Sequence, residues 1–388
     1  MLRRAPIALA LLSWPLSCCC DDPECGDDAR DPGELCYEDD PAGQPADVEQ
    51  PYALRVGRFD ADEHPDILVV GLTDDRIHAD LLRGDGDGGF EDPRRVTVDG
   101  CSAYPIAGDL DADGRDDLVF GTCTQGLAVY FSAEDGSFGP AVVLPVLLDL
   151  RQIAVVDVDG DGRRDILALG VDGSGAPALS FAQSVDGGFA PAFVTPQPVP
   201  SIPEFAPVAM LAARRERDGG FEVLLTQPGR RNAVARTRYD GDARFGVPLR
   251  VDVDLIPRGL AMRDLDGDDN LDLLVGDADA GEVVTFFTNE NDRYIPGPRT
   301  FIGDAEWQSL TLAHLDDDGW LDLAVARDTR VKLYRGGGDG SFEHGADLTL
   351  PAPVVELVLY DLNADARADL VAGTFAADDP ITIVLSGP

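Results

Sequence analysis

Asp109-Leu-Asp111-Ala-Asp113-Gly114-Arg-Asp-Asp117-Leu-Val119 places four aspartates at positions 1, 3, 5 and 9 of a short loop, with glycine at position 6. The pattern returns as Asp157-Val-Asp159-Gly-Asp161-Gly-Arg-Arg-Asp165-Ile-Leu and as Asp264-Leu-Asp266-Gly-Asp268-Asp-Asn-Leu-Asp272-Leu-Leu. Altered copies are His314-Leu-Asp316-Asp-Asp318-Gly-Trp-Leu-Asp322 and Asp361-Leu-Asn363-Ala-Asp365-Ala-Arg-Ala-Asp369. Two more are eroded: Arg58-Phe-Asp60-Ala-Asp62-Glu-His-Pro-Asp66 and Arg214-Arg-Glu216-Arg-Asp218-Gly-Gly-Phe-Glu222. The closing acids fall at intervals of 51, 48, 57, 50, 50 and 47 residues. An aromatic follows the closing acid by 20 to 24 positions in six copies: Phe90, Phe138, Phe189, Phe245, Tyr294 and Phe342. Two landmarks in phase define seven repeats, and a period in this range marks a propeller or solenoid.

Each repeat reads as strands. A short apolar run enters the Asp loop (Ile153 to Val156) and another leaves it (Ile166 to Leu169). A third lies near Val129 to Phe131 or Val331 to Tyr334, followed by a Gly-rich turn, the aromatic and a fourth extended piece. Such runs, bounded by Gly, Asp and Pro, are strand signals, and no repeat offers the long helical pattern that flanks an EF-hand. Four strands per repeat of about 50 residues predict an all-β, seven-bladed β-propeller of four-stranded antiparallel blades with calcium loops. It is expected to span residues 46–388. The last repeat ends after its third strand, Ile381 to Leu385, so a segment near Ala46 to Gln50 is expected to pair with it and remove an open edge.

The loop chemistry predicts calcium. A hard cation takes six to eight oxygens, and carboxylates at 1, 3, 5 and 9 with a carbonyl at 7 can wrap it, glycine allowing the sharp turn. Magnesium demands a tighter octahedral site, and zinc would call for Cys or His ligands. The expected ligands are Asp109, Asp111, Asp113 and Asp117; Asp157, Asp159, Asp161 and Asp165; Asp264, Asp266, Asp268 and Asp272. Repeat 6 retains Asp316, Asp318 and Asp322 beside His314, and repeat 7 retains Asp361, Asn363, Asp365 and Asp369. Three to five Ca²⁺ ions are therefore expected. Repeats 1 and 4 carry Arg58 and Arg214 at position 1, where a guanidinium is expected to replace the ion and neutralise the remaining acids.

The repeats resemble the FG-GAP/VCBS family, whose calcium-loop blades build the integrin α-chain propeller and many bacterial surface proteins. The resemblance covers nearly the whole chain after its leader. It implies a loop between the first two strands of each blade and ions with a structural role.

Composition narrows the function. The chain holds 72 Asp and Glu against 31 Lys and Arg, a formal net charge of −41, which opposes nucleic-acid binding. A hydrophobic content of 44% argues for a packed core rather than an acidic disordered chain. Residues 1–19 read as a signal peptide, with Arg3 and Arg4 before the apolar run Ala5 to Leu16. Leu16-Ser17-Cys18-Cys19-Cys20 resembles a bacterial lipobox, with Cys18 or Cys19 as the lipidated residue. An acidic, Cys-containing linker is expected over 20–45. The expected location is the bacterial envelope as a lipoprotein, at the outer membrane or surface, otherwise the secreted fraction. An exported chain permits disulfides; Cys101 with Cys123 and Cys25 with Cys36 are the expected pairs, with free thiols as the alternative.

No nucleophile elbow, phosphate loop or zinc spacing is present, and Gly173-Ser174-Gly175 reads as a turn. The carboxylates that recur in pattern are assigned to calcium rather than to a glycosidase pair. The expected function is a non-catalytic, surface-anchored module, expected to be monomeric, that binds an envelope protein or glycan. The competing reading is a polysaccharide lyase, which needs a base such as the one lysine, Lys332. Repeat 4, Pro207 to Arg250, holds nine arginines and five acids, either to meet an anionic partner or to balance neighbouring acidic blades. The patternless stretch Pro196 to Pro207 is a loop suited to binding or a spacer.

Overall fold

A computed structural model describes residues 35, 37, 42–44, 46 and 48, and residues 50–387 apart from short stretches. Those outside the description are 74–75, 99–104, 123–125, 146–147, 187, 191–196, 199–208, 216–218, 228–233, 240–244, 278, 290, 304–306 and 376–378. Cys18, Cys19, Cys25, Cys36, Cys101 and Cys123, most of Pro196 to Pro207, and the acids Glu216 and Asp218 therefore lie outside the described residues.

Seven four-stranded antiparallel sheets follow one another along the chain. Blade 1 is built from Gln50–Gly57, Asp66–Thr73, Arg76–Leu82 and Arg94–Val96. Blades 2 to 6 repeat that order, their second strands being Asp117–Gly121, Asp165–Val171, Phe221–Thr226, Asp272–Asp277 and Asp322–Arg327. No helix occurs among the described residues. The first strands of successive blades touch around the whole ring, and the first strand of blade 1 meets that of blade 7 (Val354–Tyr360). The chain is a seven-bladed β-propeller.

The packing explains why the second strands read as unbroken apolar runs. Each blade is covered on both faces by its neighbours, so alternate residues enter different cores. In blade 1, Leu68 and Val70 pack with Leu118 and Phe120 of blade 2, whereas Ile67 and Val69 pack with Val371 and Ile383 of blade 7. Seven apolar clusters fill the seven blade junctions. Large residues wedge in where glycine leaves room: Gly259 and Gly276 of blade 5 leave no space for a side chain because the Trp307 ring lies against them.

The ring closes as the missing strand requires, but with a segment upstream of the one expected. Ala42–Gln44 pairs antiparallel with Ile381–Val384, as Ala42 with Ile383 and Gln44 with Ile381. Gln50 instead begins the innermost strand of blade 1, because its register with Leu72 belongs to the blade 1 pairing. Tyr37 pairs with Ser386 as an isolated bridge, is buried, and donates its hydroxyl to the Ala368 carbonyl at 2.9 Å. It packs with Leu35 among residues of blades 6 and 7. Tyr37 is thus the seventh landmark aromatic, supplied from the other end of the chain. Tyr37→Ala should lower stability by roughly 3–5 kcal/mol, in the range of a deleted core aromatic. Tyr37→Phe, which loses only the hydrogen bond, should cost about 1 kcal/mol by urea unfolding.

Candidate metal centres

In six blades the closing aspartate starts the second strand and is fully buried: Asp66, Asp117, Asp165, Asp272, Asp322 and Asp369. One oxygen accepts the N–H of loop position 2. The donors are Phe59, Leu110, Val158, Leu265, Leu315 and Leu362, at 2.7–3.1 Å. The other accepts an N–H at the end of the third strand, from Gly84, Ser132, Ser184, Thr288, Gly336 or Ser386, at 2.7–3.0 Å. Those same residues bridge to the landmark aromatics: Gly84 to Phe90, Ser132 to Phe138, Ser184 to Phe189, Thr288 to Tyr294, Gly336 to Phe342 and Ser386 to Tyr37. One carboxylate therefore joins loop, third strand and fourth-strand turn. The two sequence landmarks are in phase because they are physically linked.

The position 1 aspartates shape the rest of the loop. Asp109 accepts from Asp113 and Gly114 N–H groups at 3.2 and 3.0 Å, and Asp361 accepts from Asp365 and Ala366 at 3.1 and 2.9 Å. At position 6, Gly114, Gly162 and Gly319 adopt φ of 84–89°. Asp269 and Ala366 take the same left-handed backbone without being glycine, at φ 63° and 71°.

Carboxylate oxygens converge within 4.8 Å in four trios: Asp109, Asp111 and Asp117; Asp157, Asp159 and Asp165; Asp264, Asp266 and Asp272; and Asp60, Asp62 and Asp66. The first three are positions 1, 3 and 9 of the intact loops. Their position 5 acids are engaged elsewhere: Asp113 pairs with Arg115, Asp161 with Arg163 at 3.2 Å, and Asp268 accepts from the Asn270 amide at 2.7 Å. In blade 6, His314 bonds through Nδ1 to the Trp320 carbonyl at 2.9 Å, while Asp316 and Asp318 stand with the buried Asp322. In blade 7, Asp365 accepts from the Ser386 hydroxyl at 2.7 Å, beside Asn363. Buried oxygens of Asp266 and Asp316 have no hydrogen-bond partner, which is the demand a cation would meet. The all-oxygen donor set is compatible with calcium.

Electrostatics point the same way. Burial pushes Asp117 and Asp272 up to about 7 and Asp66, Asp165, Asp316 and Asp369 up to about 6, against the lowering effect of their backbone donors. Neighbouring loop carboxylates add repulsion in each case, Asp365 for Asp369 and Asp111 for Asp117 among them.

Among the described residues, the two arginines expected to stand in for ions make other contacts. Arg214 ends an innermost strand at a blade junction, paired with Phe221, and its guanidinium crosses to blade 3. There it donates to the Asp157 carbonyl at 2.9 Å and meets the Asp157 carboxylate at 3.2 Å. Of the three acids it was expected to neutralise, Glu216 and Asp218 lie outside the described residues, and Glu222 is ringed by Arg236 at 3.0 Å, Arg238 at 3.7 Å and Arg215 at 4.0 Å. Arg215 and Arg238 continue to Asp292 of blade 5 at 3.2 and 3.0 Å. Guanidinium does replace the backbone staple in blade 4, but from neighbouring strands that no loop motif reveals. In blade 1, no ion pair joins Arg58 to Asp60, Asp62 or Asp66 among the described residues; Arg83 approaches Asp60 at 3.5 Å. Arg58 is held by its backbone, its N–H to Asp116 Oδ2 at 3.1 Å and its carbonyl to the Asp116 N–H at 2.6 Å.

A family model described as an FG-GAP-like repeat matches residues 58–120, 109–168 and 314–372. The chain is a seven-bladed propeller carrying FG-GAP-like repeats. No curated protein sequence matches it. Among solved structures it is similar to a lectin of Agrocybe aegerita that recognises non-reducing terminal N-acetylglucosamine, at 16% identity and TM-score 0.58, over 87% of this chain and 85% of that one. A periplasmic gluconolactonase of Pseudomonas aeruginosa aligns at 18% identity and TM-score 0.54, over 76% and 85%. A putative 6-phosphogluconolactonase of Bacteroides fragilis aligns at 15% and 0.57, over 79% and 86%. At these identities the likeness is one of fold.

Two tests separate staple from ligand. Asp272→Ala orphans the buried N–H groups of Leu265 and Thr288 and should cost roughly 2–6 kcal/mol with or without calcium, read by denaturant unfolding. Asp111→Ala, an exposed member of its trio, should change chelator-treated stability little and diminish the calcium-induced rise in melting temperature. The second test is pH. A carboxyl with a higher pKa in the folded chain holds its proton more tightly there. Its stabilising contribution is complete below the ordinary 3.8 and lost as pH climbs through about 6–7. In chelator, the melting temperature should therefore rise from pH 7.5 to 5.5; with saturating calcium, which needs ionised carboxylates, that rise should vanish or reverse.

Proposed function

We propose that this propeller is a calcium-stabilised, non-catalytic binding module of the bacterial envelope. In this reading it is exported and tethered by lipid at Cys18 or Cys19, or else secreted, and its partner is an envelope protein or glycan. The observation that carries the reading is the placement of the carboxylate trios. They lie in the connections between first and second strands, where each includes a buried acid stapled to the backbone. Carboxylates used this way organise a scaffold rather than attack a substrate. A rigid ring also offers its connecting segments as a binding surface. The lectin and lactonase neighbours show that such rings carry either kind of function, so the fold leaves the choice to the site.

The experiment is a comparison of calcium-loaded and chelator-treated protein. Calcium should raise the melting temperature, with three to five ions bound per chain by metal analysis, and the loaded protein should retain an envelope component on a column. No calcium shift, or turnover of an acidic polysaccharide to an unsaturated product, would overturn the reading.

A further inference from the structure

We propose that the cavity between blades 5 and 6 binds a carboxylated sugar unit of an acidic glycan; this deepens the binding-module reading and rests on it. The cavity, about 580 Å³, is lined by Phe301, Ile302 and Gly303 after the last strand of blade 5, by Trp307 before blade 6, and by the Arg327-to-Lys332 hairpin with Val325. Its size lies within the roughly 300–1,000 Å³ typical of small-molecule sites.

Its charge is opposite to that of the chain. Among the described residues, Arg327, Arg330 and Lys332 line it with one acid, Asp328, although acids outnumber bases 72 to 31 overall. Lys332 is the one lysine in the sequence. No ion pair engages Arg330 or Lys332 among the described residues, and the Lys332 ammonium rests against Gly303, where φ is 103°. Asp304 and Glu306, in the same connection, lie outside the described residues. Asp328 contributes backbone to the wall, its N–H meeting Gln308 Oε1 at 2.9 Å and its carbonyl the Val354 N–H at 2.7 Å.

The position shields this charge from the acidic loops. Antiparallel blades put their first-to-second and third-to-fourth connections on one face and the others on the opposite face. The cavity is built from a second-to-third hairpin and a fourth-to-first connection, so it lies on the face away from the trios. The strand Asp322–Arg327 separates the two by on the order of 20 Å at about 3.3 Å per residue. That exceeds the screening length of about 8 Å at physiological salt.

The ligand class follows from the mixture of walls. Phe301 is 73% exposed, an open aromatic surface for the C–H face of a sugar ring. Trp307 is buried beneath, with Arg258 at 5.7 Å over its ring, and stiffens the floor. Guanidinium and ammonium groups then take the carboxylate. A neutral sugar would leave the cations idle, and an inorganic anion would leave Phe301 bare.

The test titrates the full-length protein with trigalacturonic acid by calorimetry, without added free calcium. Trigalacturonate should bind, more weakly as salt rises, and at least tenfold tighter than maltotriose or inorganic phosphate. Lys332→Gln, Arg330→Gln and Phe301→Ala should each weaken binding at least tenfold at an unchanged melting temperature, Lys332→Arg should retain it, and Arg94→Gln on blade 1 should be neutral. Absence of binding by the wild-type chain, phosphate binding as tight as trigalacturonate, or equal binding by the Lys332 and Arg330 variants would overturn the proposal. Retention of another envelope component by wild type and variants alike would also overturn this site, while leaving the binding-module reading in place.

Discussion

A buried carboxylate that accepts two backbone N–H groups is the interaction on which each blade depends. Its donors come from segments that are 14 to 19 residues apart from the acid on one side and seven on the other. In blades 2, 3, 5, 6 and 7 both are buried, so neither has a solvent alternative, and removal of the acceptor leaves two unmet donors. The same side chain forms one corner of the carboxylate trio. Loop conformation, strand connection and candidate ion site are therefore one structural unit, repeated around the ring. The arrangement is electrostatically strained by itself, since burial and neighbouring aspartates both oppose ionisation. A bound cation would relieve both effects at once, by supplying opposite charge where desolvation has made like charge costly.

Blade 4 shows the alternative solution. Glu222 cannot reuse the aspartate geometry, because its extra methylene carries the carboxylate beyond the backbone donors and among Arg215, Arg236 and Arg238. Three of the nine arginines of this repeat are thereby engaged in internal balance, and Asp292 of blade 5 extends the network across the junction. A buried pair of this kind is held together by complementary partners, and truncating one of them leaves a charge without compensation.

The repeat, strand count and blade number were legible because they rest on local chemistry. Second strands are buried on both faces and so read as continuous apolar runs, while Gly and Asp loops punctuate them. Ring closure was legible in kind, from the missing fourth strand, but its register was not, because three residues of strand carry too little pattern. Tyr37 did have a signal: like five of the six other landmarks, it precedes a proline, Pro41, by a few residues. Long arginine side chains were the least legible element. Arg214 occupies an ion-ligand position in the alignment of repeats, yet its reach takes it to another blade, a choice made by the packing and not by its place in the motif.

Antiparallel blades also divide the molecule into two faces with different chemistry. The loops between first and second strands fall on one face by topology, so the six copies closed by aspartate concentrate carboxylates there regardless of what the other face does. That leaves the opposite connections free to vary without disturbing the staples. The cavity beside Trp307 lies among those connections, and its cations belong to a hairpin that contributes nothing to the trios. A chain at −41 can keep a cationic site only where distance and solvent screen it from its own acids, and the far ends of the blades meet that condition. The repeat thus sets the scaffold and its charge, and the cationic cavity lies on the face that the Asp loops do not use.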